Sequence, residues 1–231
     1  PLFSKYLPLF KIASADIINV PLLKAISLQK KPILLSTGAS QLDEIKFALK
    51  TLKLPKEQVC IMHCVLNYPT KDENANLMFI EVLKKKFNKY IIGYSDHVSP
   101  DNNLTSLEVA WNYGAQIIEK HFTYNKNKKG NDHYHSADKN DFIKFYERIK
   151  KIEMLKGSGF KDLGKEKNSI MYARRSIVSK VKIYKGDFFS SKNLTTKRPG
   201  IYISAKNWEK VIGKRAKRNI KTDTPISNDD F

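Results

Sequence analysis

Five short apolar runs, each ending in polar residues and each followed by an amphipathic stretch, restrict the folds open to this chain more than any other feature. The runs are LFKIASAD, PILLSTG, VCIMHCVLNYP, YIIGYSDH and QIIEKHF. IINVPLLKAISLQ, SQLDEIKFALKTL, NANLMFIEVLKKKF and NNLTSLEVAWNYG lie between them with helical spacing, and NDFIKFYERIKKIEMLKG follows the last. Continuous rather than alternating apolar runs are what parallel strands buried on both faces look like. A βα repeat of this kind builds either an open doubly wound sheet or a (β/α)₈ barrel. An open sheet gathers its ligands at one switch point, whereas a barrel turns every strand end toward one mouth. Here every run ends in candidate site residues, including Lys11, Ser14 and Asp16; Ser36 and Thr37; His63 and Tyr68; Ser95, Asp96 and His97; Glu119 and His121. The expectation is an α/β fold comprising the last five βα units of a TIM barrel. Three strands would then precede Pro1, and the chain reads as the C-terminal part of something longer.

With 231 residues and 41% hydrophobic content the chain can bury a substantial core. No apolar run approaches the roughly 18 residues of a membrane span, and no basic-then-apolar leader opens the sequence, so the expected location is the cytoplasm with no membrane partner. Cys60 and Cys64 are the only cysteines. Along a strand they lie roughly 13 Å apart, beyond disulfide reach, and read as reduced core thiols. The net charge is +19, of which residues 161–231 contribute +11, with 18 Lys+Arg against 7 Asp+Glu. A nucleic-acid face is one reading of that excess. Its lysine-dominated composition and the lack of interleaved aromatics favour a general lysine bias, and no nucleic-acid partner is expected.

After the last helix the texture changes. Residues 158–167 are Gly- and Lys-rich and read as a linker between a domain at 1–157 and a small, mostly β domain at 168–231 with one short helix, SAKNWEKVIG.

Two histidines at neighbouring strand ends, His97 and His121, can hold one divalent ion from the same side; imidazole ligands point to Mn²⁺, Fe²⁺, Co²⁺ or Zn²⁺. Ordinary core or surface histidines are the alternative. Lys11, Ser14, Ser36 and Ser95 form a set suited to a phosphate or carboxylate, unless the serines merely cap the helices that follow. Asp132 and His133, in the loop GNDHYHS, are polar enough to meet a hydroxylated substrate. The glycine-rich nucleotide signatures, HExxH and GxSxG are all missing from the sequence, which argues against dinucleotide, P-loop, zincin and α/β-hydrolase chemistry.

KIASAD, PILLSTG, HCVLNYPT, IIGYSDH, IIEKHFT, KGNDH, ARRSIV and KRPG occur in the order and near the spacing found in the sialic acid synthase family, which the chain resembles over essentially its whole length. That family joins a (β/α)₈ barrel to a small antifreeze-like (SAF) domain. The resemblance implies condensation of phosphoenolpyruvate with an open-chain N-acetylhexosamine, N-acetylmannosamine being the first expectation and a legionaminate- or pseudaminate-type acceptor the rival. It implies a catalytic set of His97, His121 and Glu119. His97 and His121 would hold a divalent ion, Mn²⁺ or Mg²⁺, with Glu119 beside it. Lys11, Ser14, Ser36 and Ser95 would bind phosphoenolpyruvate, and Tyr68, Asp132 and Asp16 would face the sugar. Arg198 would reach the sugar in a partner's barrel, which makes the protein a homodimer with shared sites. Two positions depart from the family pattern: Asp16 stands where glutamate is common, and Leu66 where a polar residue often meets the anion. Further family residues, a lysine and a glutamate among them, belong to strands outside this chain. A non-catalytic remnant is the remaining alternative.

Overall fold

The computed structural model describes residues 3–130 and 132–231; Pro1, Leu2 and Asn131 lie outside it. The chain forms two compact units, one ending at Lys156 and the other spanning Gly157–Phe231. In the first, β1 (Phe10–Ile12), β2 (Ile33–Ser36), β3 (Val59–Cys64), β4 (Ile91–Asp96) and β5 (Ile117–Lys120) form one sheet. All neighbours are parallel, and their order in space is their order in sequence. A doubly wound sheet reverses its strand order, so this sequential wall is part of a barrel. The helices α1 (Val20–Ser27), α2 (Leu42–Leu52), α3 (Phe79–Lys86) and α4 (Thr105–Asn112) make the crossovers, and α5 (Lys139–Lys156) comes last in the unit.

The strands stop earlier than the apolar runs do. β1 ends at Ile12 and Ser14–Asp16 is already a 3₁₀ turn, while β3 ends at Cys64 ahead of Tyr68. Past those two ends the backbone has left the ladder, whereas Lys11, Ser36, Ser95, Asp96, Glu119 and Lys120 remain within it. α2 shows how the outer layer is fixed. Glu44 accepts a hydrogen bond from the Gln41 amide at 2.8 Å, closing the helix start, and Ile45, Ala48 and Leu52 fall on one buried stripe. That stripe joins Ile12, Ile33, Leu35, Val59, Ile61, Ile92 and Tyr94 from the helix-facing side of the sheet in one core.

In the second unit α6 (Lys167–Ala173) precedes an antiparallel pair, β6 (Ser176–Ser179) and β7 (Leu194–Lys197), and the expected short helix is α7 (Trp208–Val211). α6 is a helix where a mostly β segment is expected, and its first residue, Lys167, falls within the expected linker 158–167. Ile177, Ile183, Phe189, Leu194, Val211, Ile220 and Ile226 form the core. Gly200 of KRPG is a steric requirement: a Cβ there would lie 2.7 Å from that of Arg174, and its amide donates to the Met171 carbonyl at 2.7 Å.

Asp230 is fully buried and accepts from the Ser227 amide at 2.7 Å and from Arg218 Nε at 2.6 Å. Burial alone would raise its pKa, but these donors outweigh burial and hold it below the usual carboxylate value. A depressed folded pKa stabilises fully above the unfolded value, and that contribution is lost as pH falls through the folded one. Asp230→Asn is therefore expected to cost this unit about 1–3 kcal/mol at neutral pH. In urea titrations the gap between native and variant should shrink toward strongly acidic pH; a gap independent of pH would contradict the assignment.

Candidate active site

The pleat sorts the strand-end residues onto two faces. Cys64, Ser95 and Glu119 are register partners across β3, β4 and β5, on the face turned away from the helices. Lys11, from β1, reaches across to them: its Nζ lies 2.6 Å from Glu119 Oε2 and 3.3 Å from Ser95 Oγ, and Ser95 donates to the same carboxylate oxygen at 2.5 Å. Burial would raise the pKa of Glu119, but Lys11 and Ser95 together pull it below the ordinary range, so it is an anion held by a cation.

His63, Tyr94, Asp96 and Lys120 point the opposite way, into the helix layer. His63 is buried between Phe79 and Tyr94, with Nε2 2.8 Å from the Ala75 carbonyl. Asp96 is fully buried, 2.6 Å from Lys120 Nζ, and also accepts from Tyr94 OH, the Val98 amide and Ser106 Oγ. His63 and Asp96, grouped with the mouth by sequence, are thus part of the scaffold. Thr37 joins them, donating to the Met62 carbonyl at 2.9 Å.

Beside Lys11, the Ser14 hydroxyl accepts from the Gly38 amide at 2.9 Å. Gly38 admits no side chain, because a Cβ would lie 2.7 Å from Ser14 Oγ and 2.9 Å from the Leu66 amide nitrogen. Ser36 Oγ is buried without a hydrogen-bond partner among the described residues. A buried hydroxyl left so, on the same face of the sheet as Lys11 and Ser95, suits an anion's oxygen.

The other side of the mouth is built from imidazoles. His97 is buried, with Nδ1 2.7 Å from the Val65 carbonyl. A carbonyl only accepts, so Nδ1 carries the proton and Nε2 offers its lone pair. Burial lowers the pKa of His97 and favours the neutral, ligating form. The His121 ring stands edge-on to it with centroids 5.3 Å apart, and Tyr68 covers His97 at 4.0 Å. Beyond β5 the chain returns alongside it: Ala137 donates to the His121 carbonyl at 2.8 Å and accepts from the Thr123 amide at 2.9 Å. That return brings Asp132 to 3.4 Å from His121 Nδ1 and places the His135 ring 4.9 Å from that of His121. His121, Asp132 and His135 are the group of potential ligands whose donor atoms lie mutually within 4.8 Å among the described residues. Two imidazoles and a carboxylate fit a divalent ion in their chemistry; His97, expected as a ligand, stands beside His121 with ring centroids 5.3 Å apart and is not a member of this group.

Asp16, Leu66 and Arg198 have no hydrogen bond to these clusters among the described residues, whereas Tyr68 lies against the imidazoles of His97, His121 and His135. Asp16 is half-buried at the end of β1 and accepts from Asn19, which itself caps α1. Leu66 and Tyr68 are 37% and 45% exposed and line the rim with apolar surface. Arg198, in the second unit, is exposed beside Asn168, Ser169 and Tyr172 and forms no ion pair among the described residues. Both cysteines are free and buried. No helix among the described residues is long and apolar enough to cross a membrane.

Residues 2–161 match the NeuB family and residues 174–231 the SAF domain. The chain belongs to the NeuB family. N,N'-diacetyllegionaminic acid synthase of Campylobacter jejuni is 40% identical over 224 residues, covering 95% of this chain and 66% of its own length. Pseudaminic acid synthase of the same species is 30% identical over 223 residues, covering 96% and 64%. Among solved structures, the spore coat polysaccharide biosynthesis protein SpsE of Bacillus subtilis is 32% identical with a TM-score of 0.61, over 99% of this chain and 69% of that one. The chain therefore spans about two thirds of the length of its NeuB relatives.

Within this NeuB-family chain the geometry adds one residue that the sequence reading did not single out. His135 is fully buried. The available signal was the second histidine of GNDHYHS, two residues after His133. His133 instead faces Thr123, with Nδ1 2.7 Å from its hydroxyl.

Proposed function

We propose that this chain forms the catalytic mouth of a nonulosonic acid synthase that condenses phosphoenolpyruvate with an open-chain, N-acetylated sugar. The observation that carries the reading is the pairing, on one rim, of an anion-suited cluster (Lys11, Ser14, Ser36, Ser95) with an imidazole cluster (His97, His121) beside Asp132 and Tyr68. Lys11 and the serine hydroxyls hold the carboxylate and phosphate of phosphoenolpyruvate. Glu119, anchored by Lys11 and Ser95, fixes the charge balance between the two clusters. Tyr68 and Asp132 orient the acceptor, with Asp16 at the edge of the mouth. C3 of phosphoenolpyruvate forms the new bond to the aldehyde carbon, water adds at C2, and phosphate leaves with cleavage of its C–O bond. A divalent ion at His97 and His121, Mn²⁺ or Mg²⁺, supplies Lewis acidity toward the aldehyde.

N-acetylmannosamine is the simplest acceptor. Two observations favour a di-N-acetylated sugar over it: the 40% identical relative is a diacetyllegionaminic acid synthase, and Leu66 with Tyr68 offers apolar rim for a second acetyl group. Phosphate release by the intact protein, measured with each acceptor in turn, tests both levels. Acceptor-dependent release supports the synthase, and a higher kcat/KM for the diacetylated sugar supports the choice. Folded protein that binds phosphoenolpyruvate yet releases phosphate with no acceptor would overturn the reading.

Ser36→Ala is expected to raise the KM for phosphoenolpyruvate about tenfold, the loss of one hydrogen bond to a charged group, and to leave the acceptor's KM unchanged in initial-rate kinetics. Arg198 is proposed to reach the sugar of a partner subunit, which makes the enzyme a homodimer with shared sites. Arg198→Ala should raise the acceptor's KM by roughly one to two powers of ten. Mixing it with His97→Ala should restore activity through hybrid sites; demonstrated subunit exchange without recovery would confine Arg198 to its own chain.

A further inference from the structure

His135 combines two properties that folded proteins seldom leave together. It is fully buried, and among the described residues neither of its ring nitrogens has a hydrogen-bond partner. A buried imidazole has a donor and a lone pair to satisfy, and native interiors pair nearly all such groups. The surroundings show what could satisfy this one. Its Nε2 lies 3.8 Å from Asp132 Oδ1, too far for a hydrogen bond, and the other carboxylate oxygen lies 3.4 Å from His121 Nδ1. Ligand atoms at about 2.0–2.2 Å from one ion lie roughly 3–4.4 Å from each other, depending on the angle between them. Both separations fall in that range, and the ligand atoms of all three residues lie within 4.8 Å of one another, close to its upper end. The loop that presents His135 is also tied down: Ala137 is bonded to His121 and Thr123, Ser136 Oγ donates to the Asp132 carbonyl at 2.5 Å, and Tyr134 OH donates to the Tyr68 carbonyl at 3.1 Å.

We infer that His135 is a direct ligand of the divalent ion at this mouth, alongside His121 and Asp132, and that it biases the site toward imidazole-preferring ions such as Co²⁺ and Zn²⁺ over Mg²⁺. The inference rests on the proposal that the mouth holds an ion, and it names a ligand beyond the His97 and His121 pair. An added imidazole raises affinity for borderline transition ions, while Mg²⁺ prefers oxygen and water. Removing it changes selectivity as well as affinity.

The test is metal binding, independent of turnover. Chelator-stripped protein is titrated with Co²⁺, followed by its visible absorption, with Mg²⁺ as competitor. The native protein is compared with His135→Ala, His135→Gln, His121→Ala and the loop control His133→Ala, and thermal melts check the fold. Both His135 variants are expected to lose about 10- to 100-fold or more in Co²⁺ affinity, with a changed absorption band and little change for Mg²⁺; His133→Ala should match the native protein. Zn²⁺-dependent shifts of the His135 ring nitrogens in ¹⁵N-histidine spectra of the native protein read the same contact without substitution. Undiminished Co²⁺ binding by folded His135 variants, equal losses for Co²⁺ and Mg²⁺, or unshifted His135 nitrogens would each overturn the inference and leave the His97 and His121 site standing. Absence of Co²⁺ binding by the native protein would overturn the ion proposal and this inference with it.

Discussion

For the proposed metal-assisted condensation, His121→Ala is expected to lower turnover by at least about three powers of ten, the effect of withdrawing roughly 4 kcal/mol of charge stabilisation from the aldehyde of the proposed acceptor. The fold should survive, because the His121 side chain is 23% exposed at the rim, where its ring lies against Tyr68, His97 and His135. Loss of kcat with an unchanged thermal midpoint is the predicted signature, and excess metal should not restore it. His97→Ala should act the same way for a different local reason. Its Nδ1 bond to the Val65 carbonyl fixes the ring and leaves the Nε2 lone pair as the one that could ligate. Full activity of either variant in metal-free buffer would remove the ion from the mechanism.

How much of this was legible in the sequence follows from which physical signals are local. A parallel strand buried on both faces writes itself as an apolar run, so all five strands and their crossovers could be read from residue order alone. Lys11, Ser36, Ser95 and Glu119 were legible as polar residues within otherwise apolar runs, and His97 and His121 as the first residues past β4 and β5. Their orientation was less so. Asp96 stands between Ser95 and His97 and looks like a third member of the mouth, yet period-two alternation sends it to the other face, where Lys120 supplies its counter-charge and the Tyr94 and Ser106 hydroxyls donate hydrogen bonds to it. His63 is polar on a six-residue buried strand and turns out to be packed by aromatics. Alternation gives the face, but only the partners on neighbouring elements say whether a polar residue there is structural. His135 was illegible for a related reason. A polar, glycine-containing loop gives no hint of burial, and the contact between Ala137 and His121 that buries His135 joins residues that share no sequence pattern.

The buried Asp96–Lys120 pair links stability to the chemistry. The two are register partners on β4 and β5, 2.6 Å apart and fully buried, and each immediately precedes one of the rim histidines. Lys120 also donates to the Val98 carbonyl at 2.6 Å, holding the backbone just past His97. Lys120→Met is expected to cost about 3–5 kcal/mol, because it leaves the Asp96 carboxylate buried without its counter-charge. Asp96→Asn added to Lys120→Met should recover part of that loss, since the uncompensated charge is gone while Tyr94 OH and the Val98 amide can still donate to the remaining side-chain oxygen and the Ser106 hydroxyl can accept from the new amide group. Denaturant midpoints of the two singles and the double give the coupling directly. The pair also sets where the two imidazoles stand, so the partly rescued double variant should still bind metal more weakly than the native protein. Native metal affinity in that double variant would show that Asp96 and Lys120 stabilise the sheet without positioning His97 and His121.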